Sequence, residues 1–168
     1  TGTQDIGSGT RTGLAQVAAE ELGLPMEAIS LQLGDTAFGP YSPVSSGSAT
    51  QATIGPAIRA AAADLKRQIL EVAAALLETR AERLSIEEGQ VLVDGKRPGA
   101  VSVAEVAGKI KPNMLRAEGA RGPNPPDLMI RTFGAQCVEI EVDTETGEIT
   151  VQRVVTAHEC GRIINPTM

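Results

Sequence analysis

Apolar residues recur at helical spacing near the start of the chain. Four of them follow a period of three to four residues, namely Leu14, Val17, Ala18 and Leu22. Thr10 or Thr12 can cap the start of this helix, because a hydroxyl accepts a hydrogen bond from an orphaned backbone amide. Gly23 and then Pro25 mark its end.

A longer helical pattern covers about residues 50–79. Its apolar stripe consists of Ile58, Ala61, Leu65, Ile69, Val72 and Leu76. Small residues, Ala57 and those at 60–63, permit close packing against a neighbour. The pair Gly55-Pro56 either kinks this helix or marks its first turn.

Strand patterns occupy much of the rest. Alternating polarity predicts a strand at 29–33, which a Gly/Pro/Ser-rich loop follows over 34–43. Two more strands are predicted at 84–86 and 90–93, and Asp94-Gly95 forms the turn after the second of them. Ser102 and Glu105 form a capping box that starts a short helix ending at Lys109. An irregular surface loop is expected over 112–126.

The final third predicts a β-hairpin. Residues 135–142 alternate in polarity, which places Val138, Ile140 and Val142 on one face. Residues 144–147 form the turn, and the second strand contains Ile149, Val151 and Val154. Together the elements predict an α+β fold, with two long helices packed on a small mixed or mainly antiparallel sheet. At 168 residues the chain fits a single domain over 1–168.

Composition narrows the function classes. Apolar residues make up 42% and charged residues 21%, as in globular proteins, and Phe38, Tyr41 and Phe133 are the only aromatic residues. The core is therefore expected to consist of Ala, Val, Leu and Ile. A net charge of −6 argues against a nucleic-acid partner. No apolar run reaches the roughly 20 residues of a membrane span, and no targeting segment is recognised.

Redox metal chemistry has few ligands available. Cys137 and Cys160 are too few for an iron–sulfur cluster, and His158 is the single histidine. His158 and Cys160 lie two apart, on one face if they are in a strand, but no third group completes a ligand set. We interpret them as structural, and Cys137 as a small buried residue. A redox metal would have to come with a cofactor or a partner.

Acid–base candidates are few as well. The pairs Glu87-Glu88 and Glu139/Glu141 have spacings and neighbours typical of solvated positions. Arg11 lies close enough to Ser8 to reach a phosphate, although an arginine on a helix surface is the simpler interpretation.

Two Gly/Ser/Thr-rich segments each precede a predicted helix. They are Gly7, Ser8, Gly9 and Thr10, and, some forty residues later, Ser46, Gly47, Ser48, Ala49 and Thr50. Free amides and the positive end of the helix dipole make such places anion sites. Two of them predict a multiply anionic ligand such as a pyrophosphate-bearing cofactor. An ordinary capped helix start has the same composition, so this alternative stays open.

These segments and others, taken in order, resemble one family. They are Asp5-Ile-Gly-Ser-Gly-Thr10, Leu33-Gly-Asp35, Ser46-Gly-Ser-Ala-Thr50, residues 138–143 with Gly147, and Cys160-Gly-Arg-Ile-Ile-Asn-Pro166. The chain resembles the C-terminal molybdopterin-binding region of the large subunit of xanthine dehydrogenase and aldehyde oxidase type molybdenum hydroxylases. Each motif is weak by itself, and the resemblance rests on their order along the whole chain.

The resemblance implies an oxidoreductase that uses water-derived oxygen to oxidise aldehydes or N-heterocycles. It implies that 6–9 approach the molybdenum end of molybdopterin and that 46–50 wrap the pterin and its phosphates. The cofactor carries a cytosine dinucleotide in most bacterial members. The resemblance also implies that iron–sulfur and flavin centres lie on partner subunits or domains. The compartment, cytoplasmic or periplasmic, stays open.

Two departures from the family qualify this prediction. Ser8 replaces a glutamine found in many members, and the shorter side chain has less reach towards the metal. The family's catalytic glutamate lies downstream of the element like Asn165-Pro166. We therefore expect a piece truncated at both ends, inactive alone. Two alternatives remain: a non-catalytic phosphate- or nucleotide-binding module, although it lacks the usual phosphate-loop and dinucleotide motifs, and a purely structural α+β module.

Overall fold

The computed structural model describes residues 1–110 and 112–167, which form two compact units. The first, Thr1–Pro123, contains three α-helices and a three-stranded sheet within its described residues. The second, Asn124–Thr167, contains a two-stranded sheet. Both sheets are antiparallel, which confirms the predicted α+β class. The assignment of 1–168 to a single domain stays a prediction.

Helix α1 covers Thr10–Leu22, as its apolar pattern predicts. Gly23 ends it in the left-handed conformation, and the amides of Gly23 and Leu24 bond back to the carbonyls of Glu20 and Ala19. The predicted threonine cap is wrong. Gly9 occupies the cap position and no side chain bonds the first turn, because the Thr10 hydroxyl is buried beside that of Ser8. A short 3₁₀ helix, Met26–Ala28, follows.

Helix α2 covers Ala49–Leu76 and runs through Pro56. Pro56 therefore lies inside the helix rather than in its first turn. The most buried positions of the helix are Ile54, Gly55, Ala62, Ile69 and Ala73. The predicted stripe lies partly on this face: Ile69 is buried, but Leu76 is 41% exposed.

The three-stranded sheet follows α2. A 3₁₀ helix, Ala81–Arg83, leads into β1 (Leu84–Glu87), β2 (Gln90–Val93) and β3 (Lys96–Ser102), which pair in chain order. Strand β3 was not expected, because it contains Pro98 and Gly99. A proline is tolerated there because β3 is an edge strand.

Helix α3, Val103–Ile110, begins with the predicted capping box. The Glu105 amide donates to Ser102 Oγ at 3.1 Å, and the Ser102 amide donates to Glu105 Oε2 at 2.7 Å.

The core of the first unit is aliphatic, as predicted. Its main cluster joins α2, β1, β2 and α3 through Ile69, Ala73, Leu84, Ile86, Val91 and Val106. All three aromatic side chains, Phe38, Tyr41 and Phe133, are exposed instead.

The predicted strand at 29–33 is wrong. The segment forms no ladder with any described strand, although its side chains still alternate between half-buried and exposed. Its carbonyls have partners outside any sheet: that of Gln32 accepts from the Thr1 amine at 3.1 Å, and that of Leu31 accepts from Arg11 Nη1 at 2.6 Å. The Gly34 amide, directly after the segment, donates to the Thr1 carbonyl at 3.3 Å. The loops at 34–43 and, in its described residues, 112–126 are irregular, as expected.

The second unit is the predicted hairpin, with β4 at Phe133–Val142 and β5 at Ile149–Glu159. The pairing shifts by one residue at Gln152, which forms a bulge. This shift places Val154 opposite Val138, while Val151 faces Ile140. The predicted apolar residues of both strands therefore share one face, and that face is exposed.

Candidate cofactor-binding site

Both Gly/Ser/Thr-rich segments form left-handed bends directly before a helix. Gly7 and Gly9 have φ values of 87° and 70°, and Gly47 and Ser48 both have a φ of 57°. Ser48 is a rare non-glycine residue in this conformation. We call 7–10 the first bend and 46–50 the second bend.

The two bends lie at the same end of a parallel helix pair. Near the helix starts, a Cβ added to Gly13 would lie 1.9 Å from Gln51 Nε2. Near the end of α1, Arg59 Nε donates to Glu21 Oε2 at 2.9 Å. In each pair the two residues are 38 positions apart in the sequence. Because this separation stays the same along both helices, α1 and α2 lie side by side and run in the same direction. Their N-terminal dipole ends therefore add.

The segments that precede the bends are bonded to each other. The Ser45 amide donates to Gln4 Oε1 at 3.1 Å, and Ser45 Oγ donates to the Gln4 carbonyl at 2.9 Å. The Thr3 and Ser45 hydroxyls lie 3.2 Å apart. Sequence reasoning missed these residues, because a contact between residues about forty apart leaves no local pattern.

Among the described residues, side chains leave open space at one glycine of each bend. A Cβ added to Gly7 or Gly47 would meet nothing within 4 Å. Ser8, Ser46 and Ser48 are exposed. No described side chain caps α1 or α2, and neither helix has an acidic residue in its first turn.

Some groups in the bends already have partners. The Gly7 amide donates to Asp5 Oδ1 at 3.0 Å, and the Ala49 amide donates to the Ser46 carbonyl at 3.1 Å. Thr10 is 1% exposed, with its hydroxyl 3.0 Å from Ser8 Oγ, so it orients Ser8 rather than facing outwards. The groups best placed for a ligand are the first-turn amides and the three exposed serine hydroxyls.

This donor set fits the phosphate-bearing part of a cofactor. Amides at two helix starts and serine hydroxyls are hydrogen-bond donors, and both helix dipoles favour negative charge. Arg11 does not complete the set, because its Nη1 donates to the Leu31 carbonyl at 2.6 Å.

Other sequence candidates lie outside this site. Glu87, Glu88, Glu139 and Glu141 are all exposed, which confirms the prediction that they are solvated. Glu88 also pairs with Arg97 at 2.8 Å, and Glu139 with Arg153 at 3.3 Å. Cys137 is exposed, so the prediction that it is buried was wrong, because the hairpin unit leaves both faces of β4 open.

Among the described residues, none groups with the histidine into a metal-ligand cluster. His158 lies in β5 opposite Gly134, and Cys160 follows the end of that strand. Within 1–110 and 112–167, no three His, Cys, Asp or Glu side chains are grouped to hold a metal ion. Among the described helices, none is both long and apolar enough to cross a membrane.

Sequence comparison places these features in a family. The family model of the molybdopterin cofactor-binding domain matches residues 1–168. The chain is 31% identical to the nicotine 6-hydroxylase large subunit of Paenarthrobacter nicotinovorans, over 99% of this chain and 21% of that protein. It is 34% identical to the aldehyde oxidoreductase molybdenum-binding subunit PaoC of Escherichia coli K12, over 96% of this chain and 21% of that protein.

Structure comparison gives the same result. Quinoline 2-oxidoreductase from Pseudomonas putida 86 matches with a TM-score of 0.81 and 28% identity, over 98% of this chain and 22% of that one. The copper- and molybdenum-containing CO dehydrogenase matches with a TM-score of 0.81 and 30% identity, over 99% and 21%. The chain thus spans about a fifth of the length of these relatives. The resemblance seen in the sequence is confirmed, and the chain belongs to the molybdopterin cofactor-binding domain family.

Proposed function

We propose that the two bends bind the phosphate-bearing part of molybdopterin, within a molybdenum hydroxylase that oxidises aldehydes or N-heterocycles with oxygen from water. The resemblance implies that 6–9 approach the molybdenum end, but the parallel helix starts favour the anionic part of the cofactor for both bends. The observation that carries this proposal is the position of two open, uncapped bends at the same end of a parallel helix pair. The family assignment supports the identity of the ligand, because molybdopterin carries the anionic group that such a site accepts.

In this proposal the chain binds and orients the cofactor. When bound, molybdopterin supplies the metal at which the substrate is oxidised. The first-turn amides of α1 and α2 donate to phosphate oxygens, and the Ser8, Ser46 and Ser48 hydroxyls donate alongside them. The Thr10 hydroxyl holds that of Ser8 in place. Since both bends belong to one packed helix pair, the cofactor is held in a single orientation.

We further propose that the cofactor carries the cytosine dinucleotide and that the chain works in a complex. A relative 31% identical over 99% of this chain is named the gamma subunit of the 6-hydroxypseudooxynicotine dehydrogenase complex. By analogy, iron–sulfur and FAD centres on other subunits or domains would remove the electrons.

The site is tested by comparing Gly47→Ala with Gly95→Ala. Both glycines have positive φ, 57° and 68°, and both have open space where a Cβ would lie. The two substitutions therefore strain the backbone alike, but only Gly47→Ala puts a methyl group into the second bend. The probe is inorganic pyrophosphate, which is titrated into the isotope-labelled chain. Binding is measured from the changes in the NMR chemical shifts of the backbone amides.

We expect pyrophosphate to shift the amides of both bends. Gly47→Ala should weaken binding by about tenfold, the loss of roughly one charge-assisted hydrogen bond, and Gly95→Ala should leave it unchanged. Equal affinities in the two variants, or shifts confined to residues outside the bends, would contradict the proposal.

A further inference from the structure

A surface segment of the first unit lies along helix α2. In this segment, residues 115–121, which we call the strap, the Arg116 carbonyl accepts a hydrogen bond from Gln68 Nε2 at 2.8 Å. Gly119 lies against the helix backbone, since an added Cβ would be 2.0 Å from the Ala57 carbonyl oxygen. At the far end, Arg121 Nε donates to the Ala52 carbonyl oxygen at 3.1 Å. The strap thus runs from the C-terminal half of α2 towards its N-terminus.

The bond from Arg121 lies at a specific defect in the helix. In an α-helix, the carbonyl of Ala52 would accept from the amide of residue 56. Residue 56 is proline, which has no amide hydrogen and whose ring pushes against that carbonyl. Arg121 therefore supplies the donor that Pro56 lacks.

This defect separates the start of α2 from its body. Residues 49–55 precede Pro56, and the second bend leads directly into them. Helix ends open with little free energy, and α2 has no side-chain cap to hold its first turn. A bond at Ala52 acts on the part of the helix whose amides face the bend.

We propose that Arg121 is a positioning residue, which holds the first turns of α2 in the helical conformation that the second bend needs to bind an anion. The proposal rests on the proposed function for its anion, and on the bond at Ala52 for its mechanism. Arg121 does not touch the anion. It acts through the backbone of α2, in place of the hydrogen bond that Pro56 removes.

The test is a double-mutant cycle on the 168-residue chain. Arg121→Met removes the donor and keeps much of the side-chain length. Pro56→Ala restores the amide, so the Ala52 carbonyl no longer needs Arg121. The control is Arg97→Met, which removes another exposed arginine of the same unit, one that pairs with Glu88. Amide hydrogen exchange at 53–55 is measured without ligand, and pyrophosphate affinity is measured separately by NMR.

We expect Arg121→Met to speed exchange at 53–55 by roughly threefold to tenfold, the equivalent of one hydrogen bond. Pyrophosphate binding should weaken by about twofold to fivefold, because a smaller fraction of the chain has the binding conformation. In the Pro56→Ala background, Arg121→Met should change neither quantity. Arg97→Met should change neither in either background.

Two exchange results would overturn the proposal. Unchanged exchange in Arg121→Met would mean that water satisfies the Ala52 carbonyl equally well. Equal acceleration with proline or alanine at position 56 would mean that Arg121 acts elsewhere. If the unmodified chain binds no pyrophosphate at the bends, the proposed function fails and so does the binding role of Arg121. The exchange cycle, which contains no ligand, distinguishes that failure from the first two.

Discussion

The end of helix α1 offers a sharp test of how that helix packs against the three-stranded sheet. Gly23 has a φ of 71°, and a Cβ built on it would lie 2.1 Å from the backbone oxygen of Ile86 in β1. Its own carbonyl accepts from the Gly89 amide at 2.8 Å. Gly23→Ala therefore adds both backbone strain and a collision with a strand that cannot move cheaply.

The two contributions can be estimated separately. The left-handed conformation costs an alanine about 1–2 kcal/mol. Forcing a methyl group against packed backbone adds about 1–3 kcal/mol. We therefore expect Gly23→Ala to lower the free energy of unfolding by roughly 2–5 kcal/mol, a large share of the roughly 5–15 kcal/mol typical of a small domain. Gly95→Ala, with a φ of 68° and nothing within 4 Å, should cost only the strain.

The assay is urea unfolding, monitored by circular dichroism. The urea midpoint of Gly23→Ala should be clearly lower than that of Gly95→Ala. The difference between their free energies of unfolding should equal the contribution of the collision alone. Equal midpoints for the two variants would refute the reasoning, since they would mean that α1 does not end against the backbone of β1.

Three further predictions concern the first unit. Leu14→Ala should lower the free energy of unfolding by about 2–5 kcal/mol in the same assay, because the Leu14 side chain is fully buried. Ser102→Ala should cost about 0.5–2 kcal/mol, because it removes the capping bond to the Glu105 amide. A hydrogen bond from Arg83 lowers the pKa of Asp94, so its stabilisation is complete above the ordinary carboxyl pKa of about 3.9 and is lost as the pH falls through the lowered value. Urea midpoints measured below about pH 4 should therefore fall less steeply in Asp94→Asn than in the unmodified chain.

Patterns within a few residues predicted most elements. The capping box at Ser102 and Glu105, the glycine end of α1 and the hairpin turn at 144–147 depend on neighbours along the chain, so the sequence alone indicates them. The class of fold follows from the same local periods. Strand β3 was missed for the same reason, because Pro98 and Gly99 are poor strand residues wherever no partner compensates.

Pairing over longer distances could not be predicted from these patterns. Residues 29–33 alternate like a strand, but a strand also needs a partner, and none of the described strands pairs with them. The bulge at Gln152 depends on register against β4, which alternation within β5 does not define. Cysteine is among the residue types most often buried, yet the hairpin leaves Cys137 exposed.

The amino-acid sequence by itself determined where the chain bends and what those bends offer, since glycine conformation and serine hydroxyls are properties of single residues. It also carried the ordered motifs by which the family is recognised. Only the tertiary structure decided that the two bends lie at the same end of the α1/α2 pair. This placement depends on the parallel packing of α1 and α2 and on the hydrogen bond between Ser45 and Gln4. It also depends on Gly13, whose missing side chain leaves room for that of Gln51. Such contacts join residues about forty apart, and their free energy exists only once both segments are folded and packed.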